Sequence, residues 1–203
     1  MLMGRCYPNA MRLSVMSLVA VAFLTAPGNA QVPVFQIDPS VSTVRFAVKG
    51  TVEIHGTFDK WEATMTFTST DPMTGAVDMK IQTASVNAGS DMKNKKLKGK
   101  DFFDVEEYPL ASFRSTKVTE TGPENFTMIG DFTVRGVTKQ ETLTVTASGK
   151  GKGTGTIHGT MAFDRKDFGM TKGIPLLKIA DRVEVIVDLK GKLVSGPPLV
   201  FKE

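Results

Sequence analysis

Residues 43–67 read TVRFAVKGTVEIHGTFDKWEATMTF, and apolar side chains recur there at every second position over several runs. The apolar positions of these runs are Val44, Phe46, Val48, Trp61, Ala63, Met65 and Phe67. Most residues between them are polar or charged, which is typical of antiparallel strands with one buried face. Gly50 interrupts the pattern and predicts a break between two strands. The stretch therefore predicts consecutive short strands rather than helix.

The same alternation continues through most of the chain. Further strands are predicted around 35–37, 77–81, 111–115, 126–134, 143–147, 157–163 and 183–189. Turn sequences such as Asp71-Pro72 and Thr121-Gly122-Pro123 separate them, and Gly130 predicts a bend or bulge. About eight or nine strands of this kind form a sandwich or a closed barrel, because exposed sheet edges must be protected. We expect an all-β, eight-stranded antiparallel barrel with one short helix inserted between strands.

That helix is predicted in residues 90–109, SDMKNKKLKGKDFFDVEEYP. Ser90 is a suitable N-cap, Asp91 suits the first turn, and Gly99 suits the helix end. The lysines of this stretch predict either a solvated helix face or a cationic rim for a polar head group, and the candidates for the rim are Lys93, Lys96 and Lys100. Phe102 and Phe103 follow and would serve equally as core residues or as part of a lid over a cavity.

The predicted interior is rich in Phe and Met. An eight-stranded barrel is just wide enough for side chains or for one slim ligand. Flexible Met side chains and flat aromatic rings suit an apolar guest of variable shape. The same residues would also pack an ordinary core, which is the default for apolar stripes, so composition leaves both interpretations open.

The first 30 residues have the features of a cleaved secretory signal peptide. Arg5 and Arg12 precede a mostly apolar run over residues 13–26, and small residues precede a cut after Ala30. A start at Met11 would give a more compact leader. We therefore expect an exported, periplasmic protein whose single domain comprises residues 31–203.

The domain's charge and cysteine content exclude several classes of function. The leader carries two of the 25 Lys and Arg residues and none of the 21 Asp and Glu residues, which leaves a formal charge of +2 for the domain. So small a charge argues against nucleic-acid binding. The one cysteine, Cys6, lies in the leader, so the domain has no disulfide, thiol nucleophile or thiolate metal site.

The sequence contains no recognisable catalytic constellation. The two histidines, His55 and His158, occupy polar positions of alternating strands without tight metal-ligand spacing. We expect them to be exposed, and we expect neither catalysis nor a bound metal or cofactor.

Several phrases of the sequence occur in an order that identifies a family resemblance. They are FQIDPSVSTVRFAVKG (35–50), IHGTF (54–58), KKLKGKDFFDVEEYPLASFRST (95–116), GDFTVRGVTK (130–139) and RKDFGMTKGIPLLKIADRVEV (165–185). Together they resemble the YceI family of secreted bacterial proteins over residues 34–191. The chain departs from the family pattern at Val41-Ser42 and Lys49-Gly50, so the resemblance carries no head-group preference.

The resemblance implies a lipocalin-like barrel that holds a long isoprenoid lipid, such as a polyprenyl compound or an isoprenoid quinone, for transport or sequestration. The inward or lid positions that it implies are Phe46, Trp61, Met65, Phe67, Phe102, Phe103, Phe113, Phe132 and Phe168. We expect the same interior to include Val48, Met79, Ile81, Met161, Phe163 and Met170. A second hypothesis is a packed barrel that acts through protein partners in an envelope stress response. Transient membrane contact and a homodimer are left open.

Overall fold

A computed structural model describes residues 31–51, 53–149, 153–173 and 178–201. The predicted leader lies outside these residues. The described strands are β1 (Val34–Ile37), β2 (Thr43–Gly50), β3 (Ile54–Phe58), β4 (Trp61–Thr66), β5 (Ala76–Gln82), β6 (Val86–Asn87), β7 (Leu110–Gly122), β8 (Asn125–Val134), β9 (Val137–Ser148), β10 (Thr154–Asp164) and β11 (Ile179–Ser195). One α-helix, α1 (Asp91–Lys98), lies between β6 and β7, as predicted.

The strands form one curled antiparallel sheet. Their order is β4-β5-β7-β8-β9-β10-β11-β2-β3-β6, and β1 pairs with the end of β11. The predicted all-β barrel class is confirmed, although the sheet has eleven hydrogen-bonded strands where eight were expected.

The difference in strand number comes mainly from two interrupted strands. The 3₁₀ helix Pro39–Val41 separates β1 from β2, yet both strands pair with the same edge of β11. Asp59 and Lys60 separate β3 from β4. When each interrupted pair is counted once and the two-residue β6 is left out, eight strands remain.

The second interruption lets one length of chain join the two ends of the sheet. β3 pairs with β2, whereas β4 pairs with β5. At the junction, the backbone N–H groups of Asp59 and Lys60 donate to the carbonyl oxygen and the hydroxyl of Ser85, at 3.2 and 3.0 Å. The chain between β3 and β4 therefore crosses from one end of the sheet to the other, and this crossing closes the barrel.

Closure is incomplete beside β1. In the part of the chain that the structure describes, β4 has a backbone ladder only with β5, and β1 has one only with β11. Side chains span the gap: the rings of Phe35 and Phe67 lie 5.7 Å apart at 60°. Here the barrel wall consists of packed side chains instead of backbone hydrogen bonds.

The local signals for α1 are confirmed. The hydroxyl of Ser90 accepts from the backbone N–H of Lys93 at 3.4 Å, and the helix ends before Gly99. Leu97 is buried and anchors the helix, while the side-chain oxygen of Asn94 accepts from the N–H of Ala88 at 2.6 Å. Because only one side chain of α1 is buried, the helix lies on the barrel as a surface element.

A buried guanidinium ties the end of β10 to residues 170–172 and to the start of β11. The side chain of Arg165 is only 6% exposed. It donates to the carbonyl oxygens of Met170 and Lys172 and to the carboxylate of Asp181, the last at 2.8 Å. A buried charge is tolerated when it is paired and hydrogen-bonded in this way.

Gly130 in β8 permits a close approach between strands. A Cβ atom at this position would lie 2.5 Å from the carbonyl oxygen of Arg114 and 2.6 Å from the ring of Phe113. The register of β7 against β8 shifts beside Gly130, between Ser115 and Lys117, which confirms the predicted bulge.

We therefore expect Gly130→Ala to destabilise the fold. The methyl group must displace backbone, so the free energy of unfolding should fall by about 1–3 kcal/mol, the usual cost of overpacking. Urea denaturation measures the change. Gly173→Ala is the matched control, because nothing lies within 4 Å of its Cβ position. Equal stability of the two variants would contradict this account of Gly130.

Candidate functional site

Two adjoining apolar cavities lie inside the barrel. The outer cavity has a volume of about 80 Å³ and the inner cavity about 50 Å³. Both are lined by the same central side chains, Ile37, Met65, Val77, Met128, Val145 and Leu189 among them. No charged side chain lines either cavity within the described residues. The geometry suits an apolar guest.

The outer cavity lies at one end of the barrel. Its lining includes residues beside three connections: Phe67 and Gly75 between β4 and β5, Phe126 after the β7–β8 turn, and Ala147 before the β9–β10 connection. We call this the cavity end. Helix α1 and the β8–β9 turn lie at the opposite, helix end, because successive connections of antiparallel strands alternate between the two ends.

Part of the predicted site lines these cavities. Met65 lines both, and Phe67 lines the outer one. The inner cavity is lined by Met79, Ile81, Phe113, Phe132 and Met161. The structure therefore brings together these seven predicted residues: six lie on β4, β5, β7, β8 and β10, and Phe67 directly follows β4.

The predicted lid residues occupy a different place. Phe103 packs against Phe46 and Phe58, with ring centroids 6.4 and 5.5 Å away, and Phe102 is buried beside them in the core. Neither Phe102 nor Phe103 lines the outer or the inner cavity. The expected mouth at the helix end is therefore a packed aromatic cluster.

The remaining predicted residues also lie outside both cavities. Phe163 and Phe168 pack with Phe132, at centroid distances of 5.0–5.4 Å, and Phe168 is fully buried. Val48 and Met170 are core residues. Trp61 is half-buried and lines a polar surface hollow with Lys60 and Gln82. These side chains stabilise the barrel around the cavities.

The three candidate head-group lysines lie at the helix end, away from the cavities. The amino group of Lys96 lies 2.7 Å from the carboxylate of Asp101 and 5.7 Å from the ring of Phe102. The hydrogen bond from Lys96 lowers the pKa of Asp101 below its ordinary value. Lys93 and Lys100 are exposed. Their position does not support a role beside the cavities.

Polar groups at the cavity end come from other residues. The hydroxyls of Ser148 and Thr156 lie 2.5 Å apart, and both residues line the outer cavity. They are neutral hydrogen-bonding groups, able both to donate and to accept. Both side chains are exposed, on the face of the strands opposite Ala147 and Ile157, so their hydroxyls lie at the rim of the barrel and not inside the outer cavity.

Both histidines are exposed, as predicted. His158 Nδ1 lies 2.7 Å from the carboxylate of Asp188, which also pairs with Arg45. Burial raises the pKa of Asp188, but hydrogen bonds from His158 and Arg45 outweigh it and lower the pKa overall. Among the described residues, no group of three His, Cys, Asp or Glu side chains could hold a metal ion.

The fold and the apolar interior define a class of curled β-barrels with a cavity at one end. Within that class, the chain belongs to the YceI-like domain family, whose model matches residues 35–191. The predicted family membership is confirmed.

Relatives and solved structures agree with this assignment. Protein YceI of Escherichia coli is 32% identical over 137 residues, covering 66% of this chain and 71% of that protein. A UPF0312 protein of Pseudomonas savastanoi pv. phaseolicola is 33% identical over 122 residues, or 58% of this chain. The match spans 64% of that relative's length, less than two thirds. The structure of Burkholderia cenocepacia BcnA matches with a TM-score of 0.70 and 29% identity, over 76% of this chain and 99% of BcnA.

A more distant likeness extends the fold comparison. A polyisoprenoid-binding domain from Saccharophagus degradans matches with a TM-score of 0.59 and 15% identity, over 79% of this chain and 99% of that domain. At this identity the likeness shows the fold alone. Within the described residues, no helix has the length and apolar character needed to cross a membrane.

Sequence reasoning missed much of the cavity lining, including Phe35, Phe126, Met128, Val145, Ala147, Leu199 and Phe201. Most of these residues lie on the apolar side of strands whose alternation was recognised. The signal was therefore present, but alternation does not give a residue's height along the barrel axis. Leu199 and Phe201 also alternate around Val200, in a short segment after two prolines.

Phe103→Ala separates the packing role of Phe103 from a ligand role. Since Phe103 packs against Phe46 and Phe58, its loss should lower the free energy of unfolding by about 3 kcal/mol, the lower part of the range for Phe→Ala. Uptake of an apolar probe should remain that of the wild type, because the ring lines neither the outer nor the inner cavity. Urea denaturation and a probe titration below the unfolding transition measure both effects. Loss of probe binding with unchanged stability would assign Phe103 to the ligand site instead.

The Lys96–Asp101 pair predicts a pH dependence of stability. A carboxylate whose pKa is lowered on folding stabilises the fold above its unfolded pKa of about 3.9, and this contribution disappears as the pH falls through the lower folded pKa. Asp101→Asn should therefore unfold at a lower urea concentration than the wild type at about pH 7, with the difference closing towards about pH 2. Lys96→Gln should show the same closing difference. A difference independent of pH would contradict the pairing.

Proposed function

We propose that the protein binds a long-chain isoprenoid lipid, such as a polyprenyl compound or an isoprenoid quinone, in its apolar interior without catalysing a reaction. The observation that carries the proposal is the pair of adjoining cavities, whose described lining is largely apolar and includes no charged side chain. The likeness in fold to the polyisoprenoid-binding domain of Saccharophagus degradans supports the proposal.

The cavity volumes indicate how much of a lipid the resting interior holds. An engineered cavity of about 150 Å³ lined by Leu, Ile and Phe takes up benzene. The outer and inner cavities, at about 80 and 50 Å³, together approach this size. Each cavity alone is smaller than this, so a long isoprenoid chain requires the side chains to move apart.

The lining is suited to that movement. Four of its side chains are methionines, namely Met65, Met79, Met128 and Met161. Methionine is unbranched and flexible, so it adapts to guests of different shape. The gap between β1 and β4 also allows the wall to widen locally without breaking a backbone ladder. Each CH₂ group buried then contributes about 0.8 kcal/mol before the ordering costs.

The proposed orientation places the polar end of the lipid at the cavity end. The outer cavity reaches this end of the barrel, so an alcohol or carbonyl head group there would stay close to water and to the exposed hydroxyls of Ser148 and Thr156 at the rim. The features of a signal peptide in residues 1–30 support a periplasmic location, where the protein would transport or sequester the lipid.

The experiment is lipid identification followed by titration. Protein purified from the periplasm is extracted with organic solvent for mass spectrometry, and the delipidated protein is titrated with isoprenoid alcohols and quinones. We expect a stoichiometric isoprenoid in the extract and saturable binding afterwards. If no lipid is recovered and no isoprenoid binds, the proposal fails.

A variant that fills the outer cavity tests whether the ligand binds there. Ala147→Phe adds a ring to the outer cavity and should weaken isoprenoid binding at least about tenfold, a loss of about 1.4 kcal/mol. Thr144→Phe is the matched control, because this residue lies on the exposed face of the same strand. Equal affinity of the two variants, measured by titration after circular dichroism confirms folding, would exclude the outer cavity as the site.

A further inference from the structure

The segment that follows β11, Gly196–Phe201, lies over the cavity end. We call it the cover segment. It falls outside residues 35–191, which match the family model. Its residues Leu199 and Phe201 line the outer cavity, although they belong to none of the barrel strands. The cover segment is thus an addition to the barrel that reaches the proposed ligand site.

Its side chains alternate between the cavity and solvent. Leu199 and Phe201 are half-buried, whereas Val200 between them is 62% exposed. The ring of Phe201 packs against that of Phe126, with centroids 6.1 Å apart at 60°. The two inward side chains form part of the apolar wall.

The start of the cover segment is fixed by its sequence. Gly196 has φ +81°, and a Cβ atom there would lie 2.1 Å from the carbonyl oxygen of Val32, so only glycine fits. Pro197 and Pro198 then restrict the backbone and offer no N–H donors. These three residues direct the chain away from the sheet.

After the two prolines, few backbone hydrogen bonds hold the cover segment to the barrel. The N–H of Val200 donates to the carbonyl oxygen of Thr70 at 2.8 Å. Among the described residues, this is the one backbone hydrogen bond from residues 197–201 to the rest of the chain. Thr70 lies in the β4–β5 connection, four residues after β4, the strand that has no ladder with β1. The segment can therefore leave without disturbing a strand pair.

We propose that the cover segment is a removable wall of the ligand site. Leu199 and Phe201 move away to admit an apolar chain, and then close on it and contact it directly. This inference rests on the proposed function for the identity of the guest. The two side chains thereby set how fast a lipid binds and how long it is retained.

The kinetic test uses all-trans-retinol, a fluorescent isoprenoid alcohol, in stopped-flow measurements on the full chain. In the double variant Leu199→Ser with Phe201→Ser, association and dissociation should both be about tenfold faster than in the wild type. Val200→Ser is the matched control: it keeps the backbone hydrogen bond, changes only an exposed side chain, and should keep wild-type rates. Rates in the double variant equal to those of the control would overturn the inference.

A second measurement needs no ligand. Met65→Cys places a thiol on the wall of both cavities, in a chain whose own Cys6 is replaced by Ser. Reaction with N-ethylmaleimide should accelerate about tenfold when Leu199 and Phe201 are also replaced by Ser, because opening of the wall limits access. A thiol on the exposed face of β4, from Thr66→Cys, should react equally fast in both backgrounds.

The two measurements distinguish the two proposals. Faster thiol labelling without retinol binding would retain the removable wall and reject the isoprenoid. Retinol binding with unchanged rates and unchanged labelling would retain the ligand and reject the wall. If neither occurs, both proposals fail.

Discussion

The structure depends on the ladder that β11 forms along both of its edges. β10 pairs with one edge from Asp164–Arg182 to Thr154–Lys192, while β2 and β1 pair in turn with the other. The break between β1 and β2 is fastened to β11 as well, because buried Ser42 accepts from the N–H of Lys190 at 2.9 Å and donates to the carbonyl oxygen of Asp38 at 2.6 Å. The long strand β11 thus joins β1 and β2 to β10.

This arrangement makes the two ends of the barrel unequal. At the helix end, Arg135 donates to the carbonyl oxygens of Lys100 and Phe102, so the connection after α1 is tied to the β8–β9 turn. The Phe46–Phe58–Phe103 cluster fills the space beneath. At the cavity end, residues beside the strand ends and the cover segment surround free volume. A guest consequently finds free volume at the cavity end and an interior filled by aromatic side chains at the helix end.

Local sequence signals predicted the strands and the helix well, because alternation and helix caps depend only on residues close in sequence. Alternation around Phe126, Met128 and Phe132 depends only on strand geometry, and Ser90 and Gly99 bound α1 through caps formed within one turn. The cavity position depends on register and closure, which arise between distant residues. Phe102 and Phe103 were therefore recognised as apolar anchors but expected at a mouth, whereas they fill the closed end. Leu199 and Phe201 reach the cavity only because Gly196 turns the chain beside Val32, a contact that no local pattern contains.

The free volume inside the barrel has a consequence for its response to hydrostatic pressure. Apolar cavities of about 80 and 50 Å³ mean that the folded chain packs less densely than its atoms allow. Compression favours the state with the smaller total volume, and elimination of internal voids is a principal reason that unfolding reduces volume. A guest that fills the voids removes this part of the volume difference. The empty protein should therefore unfold at a lower pressure than the occupied one, even where the two differ little in their resistance to heat.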